Sequence, residues 1–329
     1  MRMQRFTLLG ILLAACTLPV LATENKSNVS NTLVSYPENQ FKTTDGRVFM
    51  SSKSGLYEVI RNSDGSHRLD RLTVSYRTPV NGSIPAVNSA CYFMGITQIG
   101  QHLLTACAVS STDTGTPRYL LTLNLQDPGR NVREIARLND VALPNGLSAN
   151  ANGLIVLADT GSSFGAGKLL RVLLNNPNDP LQGFTLKTWL KSNGHPNGVK
   201  LSGNAVYWSQ NPYLWVVGNS SVNRTAINAD LSAGSTTTLY SRYGTLDDIA
   251  LVKDDQGQDG VLICDFANKR LVQIRDDKTV VRSSTVSLAK PSSVILESNQ
   301  VAPWSTLRIT EYDSGALVRL SQDWGLQPR

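Results

Sequence analysis

Leu143 to Asp159 reads LPNGLSANANGLIVLAD, and this stretch decides the fold. It holds a Pro-Asn-Gly turn, a short strand over 147–149, an Asn-Ala-Asn-Gly turn and a buried apolar run over 154–158. The same strand–turn–strand plan recurs in stretches that begin at Pro37, Phe93, His195, Thr245 and Pro291.

One residue at the same place in each lead-in turn, which we call the lead position, measures the period of the repeat. The six lead positions are Glu38, Met94, Asn145, Asn197, Asp247 and Ser292. Successive lead positions are 56, 51, 52, 50 and 45 residues apart. Six units of about fifty residues predict an all-β fold, a six-bladed β-propeller with four-stranded antiparallel blades.

Composition supports one globular β domain over residues 36–329. The 329-residue chain is 41% hydrophobic and 17% charged, with Gly and Pro between the apolar runs. Its net charge is +6, but the basic residues are dispersed and no basic run is interleaved with aromatic residues. This pattern argues against nucleic acid as a partner.

The first 22 residues are expected to form a signal peptide. A positively charged head precedes an apolar segment over 6–13 that is too short to span a bilayer. Two processing sites remain open. A lipobox-like LAAC would leave a lipidated Cys16 and a membrane anchor, whereas cleavage after Ala22 would release the chain. Either one predicts an exported protein, periplasmic or secreted.

Residues 23–35 are rich in Asn, Ser and Thr and are expected to form a flexible leader. A strand over 32–36 would complete the last blade, close the ring from the N-terminal side and protect its edges.

The cysteines are consistent with export, which permits disulfides. Cys91 and Cys107 flank one predicted hairpin, and the sequence leaves open whether they are bridged. Cys264 ends an apolar run and is expected to be a buried free thiol. No CxxC motif occurs, so a thiolate zinc site is not expected.

The lead-in turns precede the innermost strands, so they should meet at one mouth of the central channel. Four lead positions would place side-chain oxygens there: Glu38, Asn145, Asn197 and Asp247. Two carboxylates and two amide carbonyls offset a divalent cation and suit calcium better than zinc or copper. Asn and Asp are also ordinary turn residues, so a purely structural role is the alternative for each.

The turns PENQ, LPNGL, HPNGV and LDDIA, with the continuations LIVLADT and LICDFANKRLVQI, resemble the senescence marker protein/gluconolactonase superfamily. Strictosidine synthase-like and paraoxonase-like propellers are its relatives. The resemblance covers roughly residues 36–320. It implies a six-bladed propeller that holds a divalent metal, usually calcium. The ligands it implies are Glu38, Asn145, Asn197 and Asp247, with Asp248 adjacent to the last.

The chain departs from the paraoxonase-like pattern in its second unit. Those lactonases carry a histidine in a Pro-His-Gly-Ile-type turn, and Met94 takes that place here. His195 could face the mouth, although a structural or solvated histidine is the alternative. Ser292 lies outside a Gly-x-Ser-x-Gly elbow, so a serine nucleophile is not expected. We treat His195, Met94 and Ser292 as candidate substrate contacts.

These features favour a divalent-metal-dependent hydrolase that opens a lactone or small ester at the mouth. The cation would polarise the carbonyl, a bound water would attack it, and Asp247 or Asp248 would act as general base. Tyr213 and Trp215 could contribute to substrate choice.

The alternative is a non-catalytic exported propeller that binds a ligand or a protein. The missing histidine, together with Met94 and Ser292 at two lead positions, favours this second hypothesis. In the first case the predicted partner is a small-molecule substrate. In both cases contact with a membrane is limited to the N-terminal lipid anchor.

Overall fold

A computed structural model describes residues 24–64, 66–75, 91–108, 116–162, 165–212, 218–298, 305–320 and 324–329. The predicted signal peptide with Cys16 lies outside these residues, as do Tyr213 and Trp215. Within the described ranges the only helix is a 3-10 turn over Pro180–Gln182, and no helix there is long and apolar enough to cross a membrane.

Six sheets follow one another along the chain and confirm the predicted six-bladed propeller. The strands of blade 1 are Pro37–Lys42, Val48–Ser52, Gly55–Arg61 and His67–Arg71. Those of blade 2 are Tyr92–Ile99, His102–Ala108, Arg118–Asn124 and Asn131–Arg137. Those of blade 3 are Pro144–Ala149, Ile155–Asp159, Lys168–Leu174 and Phe184–Lys191.

The second half of the ring repeats the plan. The strands of blade 4 are His195–Ser202, Ala205–Asn211, Gly218–Ile227 and Ala233–Gly244. Those of blade 5 are Leu246–Lys253, Asp259–Asp265, Arg270–Arg275 and Val280–Ser283. Those of blade 6 are Pro291–Ser298, Ser305–Glu311 and Ala316–Leu320, with Lys26–Asn28 as the fourth. Two short extra strands, Thr73–Ser75 and Gln327–Pro328, widen blades 2 and 5.

The N-terminal strand closes the ring, as predicted, but it lies earlier in the chain than expected. Lys26–Asn28 pairs antiparallel with Ala316–Leu320, and residues 32–36 form no strand. Val29 and Val34 are buried in the core between blades 6 and 1. Tyr36 then adopts a left-handed backbone conformation, with φ 48°, which turns the chain into blade 1. Part of the predicted leader therefore belongs to the propeller.

Every blade carries a register irregularity at the start of its first strand. The shifts fall between Pro37 and Gln40, Phe93 and Ile96, Pro144 and Leu147, Pro196 and Val199, Leu246 and Ile249, and Pro291 and Ser293. A β-bulge kinks a strand locally and re-aims one side chain. Each of the six bulges contains a lead position, so the repeated motif is a repeated bulge.

Glycines after the lead positions let neighbouring first strands approach closely. A Cβ on Gly95 would lie 2.3 Å from the Asn145 carbonyl oxygen, and one on Gly146 would lie 2.4 Å from the Asn197 carbonyl oxygen. A Cβ on Gly198 would lie 2.7 Å from the Asp248 Cα. Only glycine fits at such contacts. The Asn-Gly pairs are therefore explained by close packing between neighbouring strands and not by a hairpin turn.

Polar side chains of the first strands connect each blade to the next and form a closed belt around the axis. The links are Glu38–Tyr92, Thr97–Ala149, Ser148–Leu201, Lys200–Asp248, Asp248–Ser293 and Ser293–Gln40. All six boundaries between blades are bridged in this way. Because each buried polar group finds its partner on the neighbouring blade, the belt fixes how the blades sit against each other.

The cysteines are arranged in two ways. Cys91 and Cys107 form a disulfide in blade 2, with their Cα atoms 5.8 Å apart. Cys264 is a buried free thiol in the apolar cluster between blades 5 and 6, as the sequence predicts.

Candidate metal centre at the propeller mouth

Four side chains with oxygen donors occupy equivalent bulges of blades 1, 3, 4 and 5. Glu38, Asn145 and Asp247 are only 8%, 7% and 6% exposed, and Asn197 is half-buried. Glu38 and Asp247 interact electrostatically, and Asn197 hydrogen-bonds Asp247. Gly146 packs directly on the backbone of Asn197, which sets Asn145 beside the next blade's donor.

Three of these side chains have an oxygen without a hydrogen-bond donor. The Oδ1 atoms of Asn145, Asn197 and Asp247 are buried and unpartnered among the residues the structure describes. An unsatisfied buried polar atom costs about 1–3 kcal/mol, so such atoms are rare unless an ion or ligand satisfies them. Carboxylate and amide oxygens are the donors that hard divalent cations prefer. The donor set therefore fits a divalent cation.

The candidate metal site needs the side-chain amide oxygens of Asn145 and Asn197 as well as its two carboxylates. Across the described ranges, no group of three or more His, Cys, Asp or Glu side chains is placed to hold a metal ion. Two carboxylates and two asparagines supply charge −2 and four oxygens, a composition suited to calcium and not to zinc.

The two carboxylates are held in an unfavourable environment. Burial raises the pKa of Glu38 to about 7; the Tyr92 hydrogen bond opposes this rise, and the charge of Asp248 adds to it. Burial raises the pKa of Asp247 well above its ordinary value, and the charges of Glu38 and Asp248 raise it further. A cation bound between Glu38 and Asp247 would remove this penalty.

Two tyrosines adjoin the glutamate, and sequence reasoning missed both. Tyr92 donates a short hydrogen bond to Glu38 Oε1, and its hydroxyl lies 3.4 Å from that of Tyr312. Burial raises the pKa of Tyr312 to about 12, and burial and the Glu38 charge raise the pKa of Tyr92. Both phenols therefore stay protonated at neutral pH. The sequence could have indicated Tyr92 by its place in the repeat, because it lies two residues before Met94, the lead position of blade 2.

Three aromatic rings form one side of the mouth, which we call the aromatic wall: Tyr36, Phe266 and Tyr312. The Tyr36 and Tyr312 ring centroids are 4.8 Å apart, and Phe266 meets Tyr312 edge-on at 5.5 Å. Lys53 lies over Tyr36 and Lys290 over Phe266, at 5.2 and 5.5 Å. Tyr36 is 42% exposed, so the wall presents part of an aromatic ring to solvent with positive charge beside it.

Asp248 is part of the belt between blades. Its Oδ1 and Oδ2 lie 2.7 and 2.9 Å from Lys200 Nζ, and Ser293 Oγ donates to Oδ2 at 2.9 Å. The Asp248 side chain is 1% exposed. Its charge is compensated by Lys200, whereas no Lys or Arg of the described residues forms an ion pair with Asp247.

The three candidate substrate contacts lie in the packed wall of the mouth. Met94 is 2% exposed and packs with Leu104 and Leu147 between blades 2 and 3. His195 is 3% exposed, with Nδ1 2.7 Å from the Thr160 carbonyl oxygen. Ser292 is fully buried, and its hydroxyl donates to the Pro37 carbonyl oxygen at 2.6 Å.

Acceptors at the ends of the second strands hold the lead-in turns in place. Asp159 Oδ1 accepts hydrogen bonds from the amides of Ala142 and Leu143, each at 3.0 Å. Asn211 Oδ1 accepts one from the amide of Leu246 at 2.9 Å, and Glu311 Oε1 one from that of Ala289 at 2.9 Å. Such an acceptor occurs in blades 3, 4 and 6 at the same place in the repeat, so the repeat itself could have revealed these residues.

Comparisons with known proteins bear on the fold. No family model matches the chain, and no curated protein sequence matches it. Among solved structures, a luciferin-regenerating enzyme has a TM-score of 0.63 at 12% identity, over 93% of this chain and 98% of that one.

Two other similar structures are described as members of the kind of propeller that the sequence resembles, a gluconolactonase and a regucalcin. A gluconolactonase from Xanthomonas campestris has a TM-score of 0.60 at 14% identity, over 92% of this chain and 90% of that one. A calcium-binding regucalcin from Agrobacterium tumefaciens has a TM-score of 0.62 at 13% identity, over 92% and 94%. At these identities the likeness establishes the fold, and the chain is built like the gluconolactonase- and regucalcin-type propellers.

Proposed function

We propose that the protein is a divalent-cation-dependent hydrolase that opens a lactone or a small ester at the propeller mouth. The observation that carries the proposal is the set of three buried, unpartnered oxygens on Asn145, Asn197 and Asp247, opposite the Glu38 carboxylate. The structural likeness to a gluconolactonase and a regucalcin supports the same reading.

The cation would be held by Glu38, Asn145, Asn197 and Asp247, and calcium suits this set best. When bound, it supplies positive charge that polarises a substrate carbonyl and stabilises the oxyanion formed on attack. Tyr92 orients Glu38 through its hydrogen bond. A donor fixed in this way keeps its oxygens in place and lowers the cost of ordering the site.

Asp247 is the better candidate for the general base. A general base accepts a proton on a carboxylate oxygen, and the Asp247 carboxylate forms no ion pair with Lys or Arg among the described residues. Both oxygens of Asp248 accept from Lys200, and one of them also accepts from Ser293. We therefore place proton transfer on Asp247 and assign Asp248 to positioning its neighbour.

The aromatic wall would contact the organic part of the substrate. The exposed part of Tyr36 can contact a ring, and Lys53 and Lys290 would attract a negatively charged substituent. We expect ring-containing substrates that carry an anionic group to be hydrolysed better than neutral short-chain esters.

A thermal melt of residues 23–329 tests the metal site first. After chelation, added calcium should stabilise the protein, by about 2.7 kcal/mol at a hundredfold excess over the Kd. Glu38→Gln combined with Asp247→Asn should abolish the shift. Asp255→Asn, an exposed residue in a blade 5 hairpin, removes a charge elsewhere and should preserve it. The absence of any shift with calcium, magnesium, manganese and zinc would contradict the metal site.

Hydrolysis is tested separately by pH-stat titration of a lactone panel with the calcium-loaded protein. Turnover that is lost in Asp247→Asn supports the hydrolase. Calcium binding without turnover of any lactone or ester would instead favour a non-catalytic scaffold. The buried Met94 at the lead position of blade 2, where paraoxonase-like lactonases carry histidine, is the observation that favours this second function.

We also propose that the protein is exported. The Cys91–Cys107 disulfide supports this, because disulfides persist in oxidising compartments. Mass spectrometry of the mature N-terminus tests the proposal. A lipidated Cys16 indicates an anchored lipoprotein, an N-terminus at Thr23 indicates a released protein, and an intact Met1 would overturn export.

A further inference from the structure

A cleft of about 710 Å³ lies between blades 1 and 6, on the face of the propeller opposite the mouth. Lys42 lines this cleft at the end of the first strand of blade 1, and Glu38 lies near the start of the same strand. At 3.3 Å per residue, the two positions are about 13 Å apart. The cleft is therefore separate from the candidate metal centre.

Strand register places two pairs of basic side chains around this cleft. On blade 6, Arg308 lies directly opposite Arg319, and on blade 1, Arg61 lies directly opposite His67. All four residues line the cleft. Like charges directly opposite on adjacent strands destabilise a sheet, so the pair of Arg308 and Arg319 needs a compensating anion.

The protein supplies only part of that compensation. Glu297 pairs with both arginines of blade 6, at 3.0 Å from Arg308 and 2.8 Å from Arg319. Arg61 has no ion-pair partner within the described part of the chain. In total, five basic and three acidic side chains line the cleft, which leaves a net charge of +2 with His67 neutral.

Arg308 provides a second, independent observation. Its side chain is 3% exposed, and its Nε–H has no hydrogen-bond acceptor among the described residues. Burial lowers the pKa of Arg308, which Glu297 opposes. Burial and the charge of Arg308 also lower the pKa of His67. A buried guanidinium with an unpartnered N–H, inside a net positive cavity, is the arrangement that recognises oxyanions.

We propose that this cleft is a binding site for a soluble small molecule that carries a multiply charged oxyanion, either a phosphate or clustered carboxylates. The anion would offset the charges of Arg61, Arg308 and Arg319. Planar guanidinium groups match both phosphate and carboxylate oxygens, so the two sources share one chemistry. This proposal does not depend on the metal site or on any hydrolytic activity.

Isothermal titration calorimetry on residues 23–329, dialysed free of metal and of chelator, tests the site with two probes, inorganic phosphate and citrate. We expect saturable binding of at least one probe, and which probe binds identifies the source of the oxyanion. Arg61→Gln should weaken binding at least tenfold. Arg68→Gln is the matched control, because it removes the same charge from the neighbouring strand of blade 1 and does not line the cleft.

Two results would overturn the proposal: binding of neither probe, or equal weakening by Arg61→Gln and Arg68→Gln, which would show a diffuse charge effect. The imidazole NMR signals of His67 give a second readout. Phosphate or citrate in the cleft should raise the pKa of His67, and Glu38→Gln should leave this response unchanged. A His67 pKa that does not respond to either anion would also contradict the site.

Discussion

The Tyr92 hydroxyl donates its hydrogen bond to Glu38 across the boundary between blades 2 and 1. This contact lowers the pKa of Glu38 against the effect of burial. The Tyr92→Phe substitution should therefore raise the Glu38 pKa further and leave the carboxylate less well oriented. Loss of such a supporting contact typically reduces metal affinity 10- to 100-fold. We expect a calcium Kd that rises by at least tenfold.

Calorimetric titration with calcium measures this change. Tyr119→Phe is the control, since Tyr119 is also a tyrosine of blade 2 but belongs to the apolar cluster between blades 1 and 2. If Tyr92→Phe binds calcium as tightly as the unmodified protein, then Glu38 is not a ligand positioned by Tyr92.

The metal-free protein should lose stability as the pH rises from about 4.5 to 7. Burial raises the pKa of Glu38 from 4.5 to about 7, so in this window the folded state binds more protons than the unfolded state. The contribution of protonated Glu38 to the free energy of unfolding is complete below pH 4.5 and absent above pH 7. It amounts to roughly 3 kcal/mol by proton linkage.

Urea unfolding at a series of pH values, with chelator present, checks this dependence. Glu38→Gln should flatten the slope in this window. Calcium should reverse the trend, because the ion binds the ionised carboxylates and its affinity grows as they deprotonate. A metal-free protein whose stability increases between pH 5 and 7 would contradict the buried position of Glu38.

Replacing Asp247 or Asp248 by asparagine should have opposite effects on the stability of the metal-free protein. Asp248→Asn leaves Lys200 without its carboxylate, and breaking a buried ion pair costs 3–5 kcal/mol. Lys200 is 23% exposed, so we expect a loss of about 2 kcal/mol. Asp247→Asn removes a buried charge that has no cation partner, and the metal-free protein should be as stable as before or more so.

Chemical denaturation in chelator measures both variants. The pair provides its own control, because the same substitution is made at neighbouring residues. Equal losses of stability would contradict the assignment of Asp248 to the belt and Asp247 to the open site.

Gly146 should not tolerate a methyl group. A Cβ at this position would lie 2.4 Å from the Asn197 carbonyl oxygen, and that backbone cannot move without displacing blade 4. We expect Gly146→Ala to destabilise the protein by about 3 kcal/mol or more, as large steric conflicts in a packed region do.

Gly153→Ala is the comparison within the same blade. Gly153 has a φ of 79° with open space around it, so alanine there costs only about 1 kcal/mol of backbone strain. Thermal melts of both variants are sufficient. A Gly146→Ala protein as stable as Gly153→Ala would show that the blades are not in contact at the lead-in turns.

The propeller architecture could be predicted from the sequence because each repeat unit is built from residues that are close together in the chain. Turns and apolar runs recur at a near-constant interval, and this periodicity predicts the blades and the four oxygen donors at equivalent places. The bulges were not predictable, because a bulge is a relation between two strands and Asn-Gly also forms ordinary turns. For the same reason, the sequence could not distinguish the open oxygen of Asp247 from the ion-paired Asp248.

Long-range partners account for the other differences. Tyr312 contacts Tyr92 although the two residues are 220 positions apart in the sequence, and no pattern in either segment predicts that contact. The closing strand was expected over 32–36 because those residues precede blade 1. It forms at Lys26–Asn28 because Val29 and Val34 are buried between blades 6 and 1.

The pairing of Lys26 with Leu320 has a consequence for the order of assembly. Blade 6 takes its outermost strand from Lys26–Asn28 and its other three from residues 291–320. Contacts between residues so distant in sequence form late, because the intervening chain must first be ordered. The ring therefore cannot close until the strand Ala316–Leu320 has been synthesised, and until then the earlier blades belong to an open chain.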